Sequence, residues 1–399
     1  MNEIYLDNAA TTKVREEVKE EMLKYLDVVY GNPGSFHGKG LEAKDSIEDA
    51  REIIAKLINA KPKEIIFTAG GTESINLALK GLAKAMKDKG NHIITTNIEH
   101  HAVLHTCEYL EKYEGCEVTY LEVDQYGMVN PKDVENAIKP NTILITIMYA
   151  NNEIGTINPI KEIGSIAKKN NIYFHTDACQ AAGYCNLDVE NLNVDMMTIN
   201  GSKIYGPKGV GILYFKTGIQ LVPLIHGGGQ ERNIRSGTEN VSGIMGFAKA
   251  FELAQTERDP EVQRLTKLRD KLVNGILETV PKTFLNGHPT ERLPNNANVS
   301  ILDIEGEALT LYLNEYGIYT STGSACTSQT LDPSHVVLAT GLPYEAAHGS
   351  IRFTLGKETT EEDIDKVLEV LPGIVKILRQ ISPVNVNAEH IIEARSLGK

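Results

Sequence analysis

The apolar positions of this chain fall into short blocks that alternate between two periods. Runs at 64–68, 93–96, 142–148, 172–174, 196–200 and 211–215 are almost continuously apolar or β-branched, as strands buried on both faces must be. Between them, 15–26, 51–58, 73–86, 132–137 and 160–169 carry apolar residues every three or four positions among charged ones, the pattern of helices with one face on a core. The alternation predicts an α/β fold: a large domain with a mainly parallel central sheet flanked by helices, and a smaller α/β domain after it. That second series comprises helices at 241–256 and on to 280, a strand at 295–302, a helix at 306–315 and a helix at 360–379 in which Thr360 and Asp363 have capping-box spacing.

Length and composition sharpen the division. A chain of 399 residues is long for one hydrophobic core. We expect a large domain at 15–258, a small domain built from 1–14 and 259–383, and a mobile C-terminal tail at 384–399. The formal net charge of −13 gives no bulk positive field for a nucleic-acid backbone or an anionic membrane, so neither partner is expected. No apolar run has the length of a membrane span and the start lacks the regions of a signal peptide, which predicts a cytoplasmic protein. Five cysteines, Cys107, Cys116, Cys179, Cys185 and Cys326, form no CxxC pair, so reduced thiols are expected, with neither a disulfide framework nor a structural metal.

Polar residues recur where strands end, and there an open α/β sheet gathers its site. The run 196–200 delivers Lys203 into a turn of Asn200, Gly201 and Ser202, and the run before it closes on Asp177. A lysine and a carboxylate across one site suit pyridoxal phosphate, which a lysine holds as a Schiff base while a carboxylate keeps its ring nitrogen protonated; a surface lysine and a helix-capping aspartate are the bland alternative. Gly70, Gly71 and Thr72 stand between a strand and a helix, either as a phosphate cradle or as a tight connector. His100 leaves the strand at 93–96, placed to stack on a planar cofactor or to serve as an ordinary hydrogen-bonder. The adjacent amides Asn151 and Asn152 either bind a carboxylate or ring oxygen or pin their turn. Arg352, on a strand, offers a fork for a substrate carboxylate or for a salt bridge between elements. The glycine-rich stretch 227–240 is costly to order without a ligand or partner, and we infer a contribution to the site, within the chain or across a subunit interface, with ordinary loop use as the alternative for most of its members. Cys326 sits at the tip of a Ser/Thr/Gly segment that presents its thiol, whereas Cys179 and Cys185 lie in apolar company that suggests packing.

Taken in order, LDNAATT at 6–12, GNPGSFH at 31–37, FTAGGTES at 67–74, EHHAVL at 99–104, NNEIGT at 151–156, HTDACQ at 175–180, KIYGPKGVG at 203–211, GGGQERNIRSGTEN at 227–240, STGSACTS at 321–328 and IRFTLG at 351–356 resemble the motifs of cysteine desulfurases of the NifS/IscS group, within the type I class of pyridoxal-phosphate enzymes. The resemblance implies a homodimer that converts L-cysteine to L-alanine. It makes Lys203 the Schiff-base lysine, Asp177 the partner of the ring nitrogen, Gln180 that of the ring oxygen, and His100 the stacking and proton-handling group. Gly71, Thr72, Asn200 and Ser202 would receive the phosphate, joined by Thr238 of the other subunit. Asn152 and Arg352 would hold the substrate carboxylate. Cys326 would take the sulfur as a persulfide for a U-type iron–sulfur scaffold or another acceptor, and is a candidate transient cluster ligand. One departure stands out: the family has Ser-x-His-Lys where this chain has Asn200-Gly201-Ser202-Lys203, which keeps hydrogen-bonding groups but alters the lysine's surroundings. Selenocysteine lyase, an aminotransferase and a nonenzymatic sulfur scaffold are the rival readings; selenium preference, dispensability of Cys326 and absence of a bound cofactor, respectively, would distinguish them.

Overall fold

The computed structural model describes residues 3–323, 333–383 and 391. Among them the strands are β1 (Ile4–Tyr5), β2 (Ile65–Thr68), β3 (His92–Thr96), β4 (Glu117–Leu121), β5 (Thr142–Thr146), β6 (Tyr173–Asp177), β7 (Met196–Asn200), β8 (Gly211–Phe215), β9 (Thr283–Asn286), β10 (Asn296–Ile301), β11 (Ile318–Tyr319) and β12 (Ser350–Thr354). Seven form the central sheet in the order β2-β8-β7-β6-β5-β3-β4. Only β8 runs against its neighbours; the other pairings are parallel. Successive side chains of a strand point to opposite faces, and the sheet feeds two separate layers of core accordingly. Phe67, Met197 and Ile212 join Val18, Ile54, Phe174 and Phe251 on one face, while Ile66, Met196 and Leu213 join Leu79, Leu82 and Val103 on the other.

A second, antiparallel sheet has the order β12-β10-β9. It packs with the helices Arg258–Thr279, Gly306–Glu315 and Glu361–Ile381 around a distinct core that includes Leu272, Val299, Phe353 and Leu371. The start of the chain belongs to this core. Ile4 and Leu6 are part of it, β1 pairs in parallel with β11, and Asp7 bridges to Thr354. The final helix opens with the expected box, Thr360 Oγ1 accepting from Asp363 N and Asp363 Oδ2 accepting from Thr360 N.

Some boundaries differ from expectation for local reasons. The helix at 51–58 is the end of a longer one, Gly38–Leu57, whose first turn is capped by the His37 ring accepting from Gly40 N. The helix after β2 starts at Gly71 rather than 73, because Gly70 takes φ +146° and turns the chain at once, a conformation that only glycine adopts cheaply. The strand expected at 172–174 runs on to Asp177. Its His175 is bolted across the sheet, Nδ1 to Thr146 Oγ1 at 2.9 Å and Nε2 to Thr198 Oγ1 at 3.0 Å. No helix among the described residues is long and apolar enough to cross a membrane. The expected mobile tail at 384–399 and the segment bearing Cys326 lie outside the described residues, Ile391 excepted.

Candidate active site

The carboxyl ends of β2, β3, β5, β6 and β7 open on one side of the central sheet, and each contributes a polar group. β6 ends in Asp177, 7% exposed, whose Oδ1 accepts from Cys179 N at 2.9 Å. The bolts on His175 fix the strand two residues earlier; burial pushes that imidazole down to about 4, so it remains a neutral strut. Gln180 follows, donating from Nε2 to Ala9 O at 2.9 Å.

β7 runs into one 3-10 turn, Gly201–Lys203, with Asn200 Oδ1 accepting from Ser202 N. Lys203 Nζ donates to Ala10 O at 2.5 Å. Across from it, β3 leads to His100, which caps the helix His101–Glu114 by accepting from Ala102 N at Nδ1. That bond fixes the tautomer with its proton on Nε2. Burial lowers the His100 pKa; Asp177 raises it and Lys203 lowers it further.

At the end of β2, the helix Gly71–Ala85 begins without a side-chain cap, so its first N–H groups face the site as anion donors. A Cβ on Gly71 would lie 3.0 Å from Cys179 Sγ and 3.7 Å from Asn200 Cβ; the missing side chain lets this helix end close onto the β6 and β7 turns. Beyond β5, Asn151 is wholly buried and pins its turn, donating to Ile98 O and accepting from Glu153 N and Ile154 N. Asn152 lends its carbonyl to Arg352.

Arg352 is 2% exposed. Its Nη2 donates to Asp7 Oδ1 at 2.8 Å and its Nη1 to Asn152 O at 2.9 Å, while Nε is buried without a partner. The salt bridge foreseen as the alternative for Arg352 is therefore present, and a donor is left over. Arg352 also exchanges backbone hydrogen bonds with Ser321, which pairs residue 321 with the arginine's strand.

A family model, aminotransferase class-V, matches residues 4–367. A cysteine desulfurase IscS of Methanosarcina thermophila is 57% identical over 380 residues, covering 95% of this chain and 94% of its own. The chain belongs to the class-V aminotransferases, in their cysteine desulfurase branch. IscS 1 of Archaeoglobus fulgidus is 48% identical over 95% of this chain and 98% of its own length. Among solved structures, a NifS-like protein superposes with a TM-score of 0.89 at 42% identity, covering 94% of this chain and all of its own. The structure titled "SspA in complex with cysteine" has a TM-score of 0.79 at 38% identity over 88% of this chain and 98% of its own.

Desulfurases of this branch are pyridoxal-phosphate enzymes, and the donor set here fits that group. An ammonium, a buried carboxylate, a neutral imidazole, an amide, an uncapped helix start behind a glycine cradle and a buried guanidinium N–H without a partner match, in order, its aldehyde, ring nitrogen, ring face, ring oxygen, phosphate and amino-acid carboxylate. Of the sequence-predicted residues, Gly71, Thr72, His100, Asn152, Asp177, Gln180, Asn200, Ser202, Lys203 and Arg352 lie on the strand ends or on β12 beside them. Thr238 lies on the glycine-rich segment, away from any strand end. It is exposed, on a segment tied to its own body by Arg51–Glu231 and Arg235–Glu73 ion pairs.

Several groups that shape the site went unread in the sequence. Asp7 holds the arginine, Ala9 and Ala10 lend carbonyls to Gln180 and Lys203, and Thr12 grips the lysine turn. Glu99 is fully buried, with Oε1 accepting from Thr96 Oγ1 and Met148 N and Oε2 without a partner. The run of small residues after Asp7 was the available signal, a turn whose carbonyls meet Gln180 and Lys203 while Asp7 meets Arg352.

Proposed function

We propose that the chain converts L-cysteine to L-alanine and receives the sulfur on Cys326. Arg352 and Asn152 hold the substrate carboxylate, with the free Nε of Arg352 as one donor. Asp177 would hold the proton on the ring nitrogen of pyridoxal phosphate, Gln180 would bond its ring oxygen and His100 would stack on its ring. Gly71, Thr72, Asn200 and Ser202 receive the phosphate, together with Thr238 of a second copy. When bound, pyridoxal phosphate supplies a sink for the electron pair at the substrate's Cα. Lys203, the residue that would hold the cofactor, would then carry the Cα proton through its amine. The Cys326 thiolate then attacks the substrate sulfur: the Cβ–S bond breaks, an S–S bond forms, Cβ gains a proton, and the products are L-alanine and a persulfide.

The single observation that carries this reading is the convergence of Lys203, Asp177, His100 and Arg352 on one side of the sheet. The cysteines support the choice of Cys326. Burial raises the pKa of Cys107, Cys116 and Cys179, and pushes Cys185 up to about 12, so none of the four is a ready nucleophile at neutral pH. The persulfide goes on to a second acceptor, a U-type scaffold for iron–sulfur assembly. A division into 15–258 and a unit of 1–14 with 259–383 belongs to the same proposal, supported by the separate cores. So does a cytoplasmic setting, supported by four cysteines that stand as free thiols.

A homodimer is proposed as well. The helix Glu16–Asp27 and the loop after it leave Leu23, Leu26, Val28 and Tyr30 more than half exposed and Phe36 97% exposed, an apolar strip of the kind that marks an interface.

Mass spectrometry after brief exposure to L-cysteine tests the central reading. One sulfur on Cys326 with a matching yield of alanine is expected. Cys326→Ser should keep the cofactor's absorption and lose both the added sulfur and at least about 99% of alanine turnover. Full turnover by that variant would remove Cys326 from the mechanism.

A further inference from the structure

The position of Lys203 is set by the turn 200–206, and the turn's own hydrogen bonds leave Ser202 O and Tyr205 N to be bonded from outside it. Within it, Ser202 N donates to Asn200 Oδ1, and Ile204 N and Gly206 N donate to Gly201 O. The groups that bracket the lysine, Ser202 O and Tyr205 N, both reach Thr12. Ser202 O accepts from Thr12 N at 2.9 Å and from Thr12 Oγ1 at 3.0 Å. Tyr205 N donates to the same Oγ1 at 2.8 Å. One hydroxyl thus gives its proton to the residue before the lysine and accepts from the second residue after it.

What it holds would not hold itself. Tyr205 takes φ +61°, a left-handed conformation that an aromatic residue adopts only when its surroundings impose it. The ring end is fixed separately, Tyr205 Oη accepting from Lys357 N at 2.8 Å. Thr12 is itself 2% exposed, on a segment seated against β12 through Asn8 N to Thr354 O and Ala9 N to Thr354 Oγ1. The same segment supplies Ala10 O to Lys203 Nζ. The neighbouring Thr11 offers a contrast: its hydroxyl is buried and bonds nothing.

We propose that Thr12 is a positioning residue for Lys203, its hydroxyl clamping the backbone on both sides of the lysine and thereby setting where Nζ meets the cofactor. This rests on Lys203 being the residue that bonds pyridoxal phosphate. A clamp of this kind acts on the lysine's alignment and on its proton affinity, because both depend on the distance to the groups around Nζ.

The test compares holoenzyme of the wild type with Thr12→Val, Thr12→Ser and Thr11→Val. Valine keeps the volume and deletes both side-chain hydrogen bonds; serine keeps them. For Thr12→Val we expect the pH midpoint of the cofactor's visible absorption to move by about one pH unit. Amide exchange in the peptide covering 200–206 should speed up about tenfold, and kcat should fall on the order of tenfold or more with a smaller change in KM. Thr12→Ser should restore all three, and Thr11→Val should match the wild type. An unchanged midpoint and exchange rate in Thr12→Val would overturn the proposal, as would equal effects from Thr11→Val. If Thr12→Val does not fold, the wild type still decides: an unprotected Tyr205 amide in the folded holoenzyme excludes the clamp. Borohydride reduction followed by peptide mapping separates the two readings, since cofactor fixed to a residue other than Lys203 in the wild type would refute the assignment of the lysine rather than the role of Thr12.

Discussion

Glu99 is the residue whose chemistry is most altered by its place. Burial pushes its carboxyl up from the ordinary 4.5 to about 8, against the opposing effect of hydrogen bonds from Met148 N and Thr96. The folded protein therefore keeps a proton that the unfolded chain loses. A raised carboxyl stabilises most below the unfolded value, and its contribution is lost as pH rises from about 4.5 through about 8. In Glu99→Gln, an amide replaces the protonated acid and cannot titrate. Urea unfolding of both proteins at several pH values should show the wild type losing stability relative to the variant across that window. The loss should reach a few kcal/mol in total, on the order of 1.4 kcal/mol for each pH unit crossed. A difference that stays flat with pH would mean that Glu99 is ionised in the fold. Lys203, Asp177 and Arg352 stood out in the sequence as candidates because each lies on or just after a strand-like run, and the structure places them at strand ends or on β12; Gln180 came only from the motif resemblance. Thr12 and Asp7 did not stand out, because their meaning lies in contacts with residues 193 and 345 positions away.

At the scale of elements, the glycine-rich segment shows what local pattern leaves out. Its composition suggested a ligand or a partner as the source of order, yet a buried ion pair already supplies much of it. Arg51 donates to Glu231 from Nη1 and Nη2 and to Ile65 O, and Glu231 Oε2 also accepts from Phe67 N. The pair staples the segment to β2, holding Glu231, Arg232 and Asn233 at φ between +46° and +65°. Removing one member of a buried pair strands the other charge. Arg51→Ala should lower the unfolding free energy by about 3–5 kcal/mol, read as a drop in the urea midpoint by circular dichroism, whereas a loss below about 1 kcal/mol would show that the pair is solvated. Six of the seven central strands were readable because continuous apolar runs admit little else, whereas β4, half-buried with a mixed sequence at the sheet's edge, was not. Nor was the reversed direction of β8, since a strand buried on both faces looks the same whichever way it runs.

For the whole molecule, the strip from Leu23 to Phe36 makes assembly measurable. Phe36→Glu places a charge on the most exposed member of the proposed interface, and light scattering after gel filtration should report the mass of one chain instead of two; a variant that keeps the wild-type mass would move the interface elsewhere. The second domain was legible in part: a return of the chain's start to 259–383 was expected, and Ile4 and Leu6 lie in that core, whereas β9 and β11, four and two residues long, are too short for a periodic pattern.

That return has a consequence for how the protein is made. The stretch from Asp7 to Thr12 is among the earliest parts of this sequence to leave a ribosome, yet it cannot be seated until β11 and β12 exist to receive β1 and Asp7. Domains tend to form in order of synthesis, so the central sheet can be complete while Lys203 and Arg352 still lack their neighbours on this stretch. The nascent enzyme should thus acquire its capacity to capture cofactor late, as the last strand emerges, and a translation pause before residue 350 would leave a folded sheet with an unfinished site.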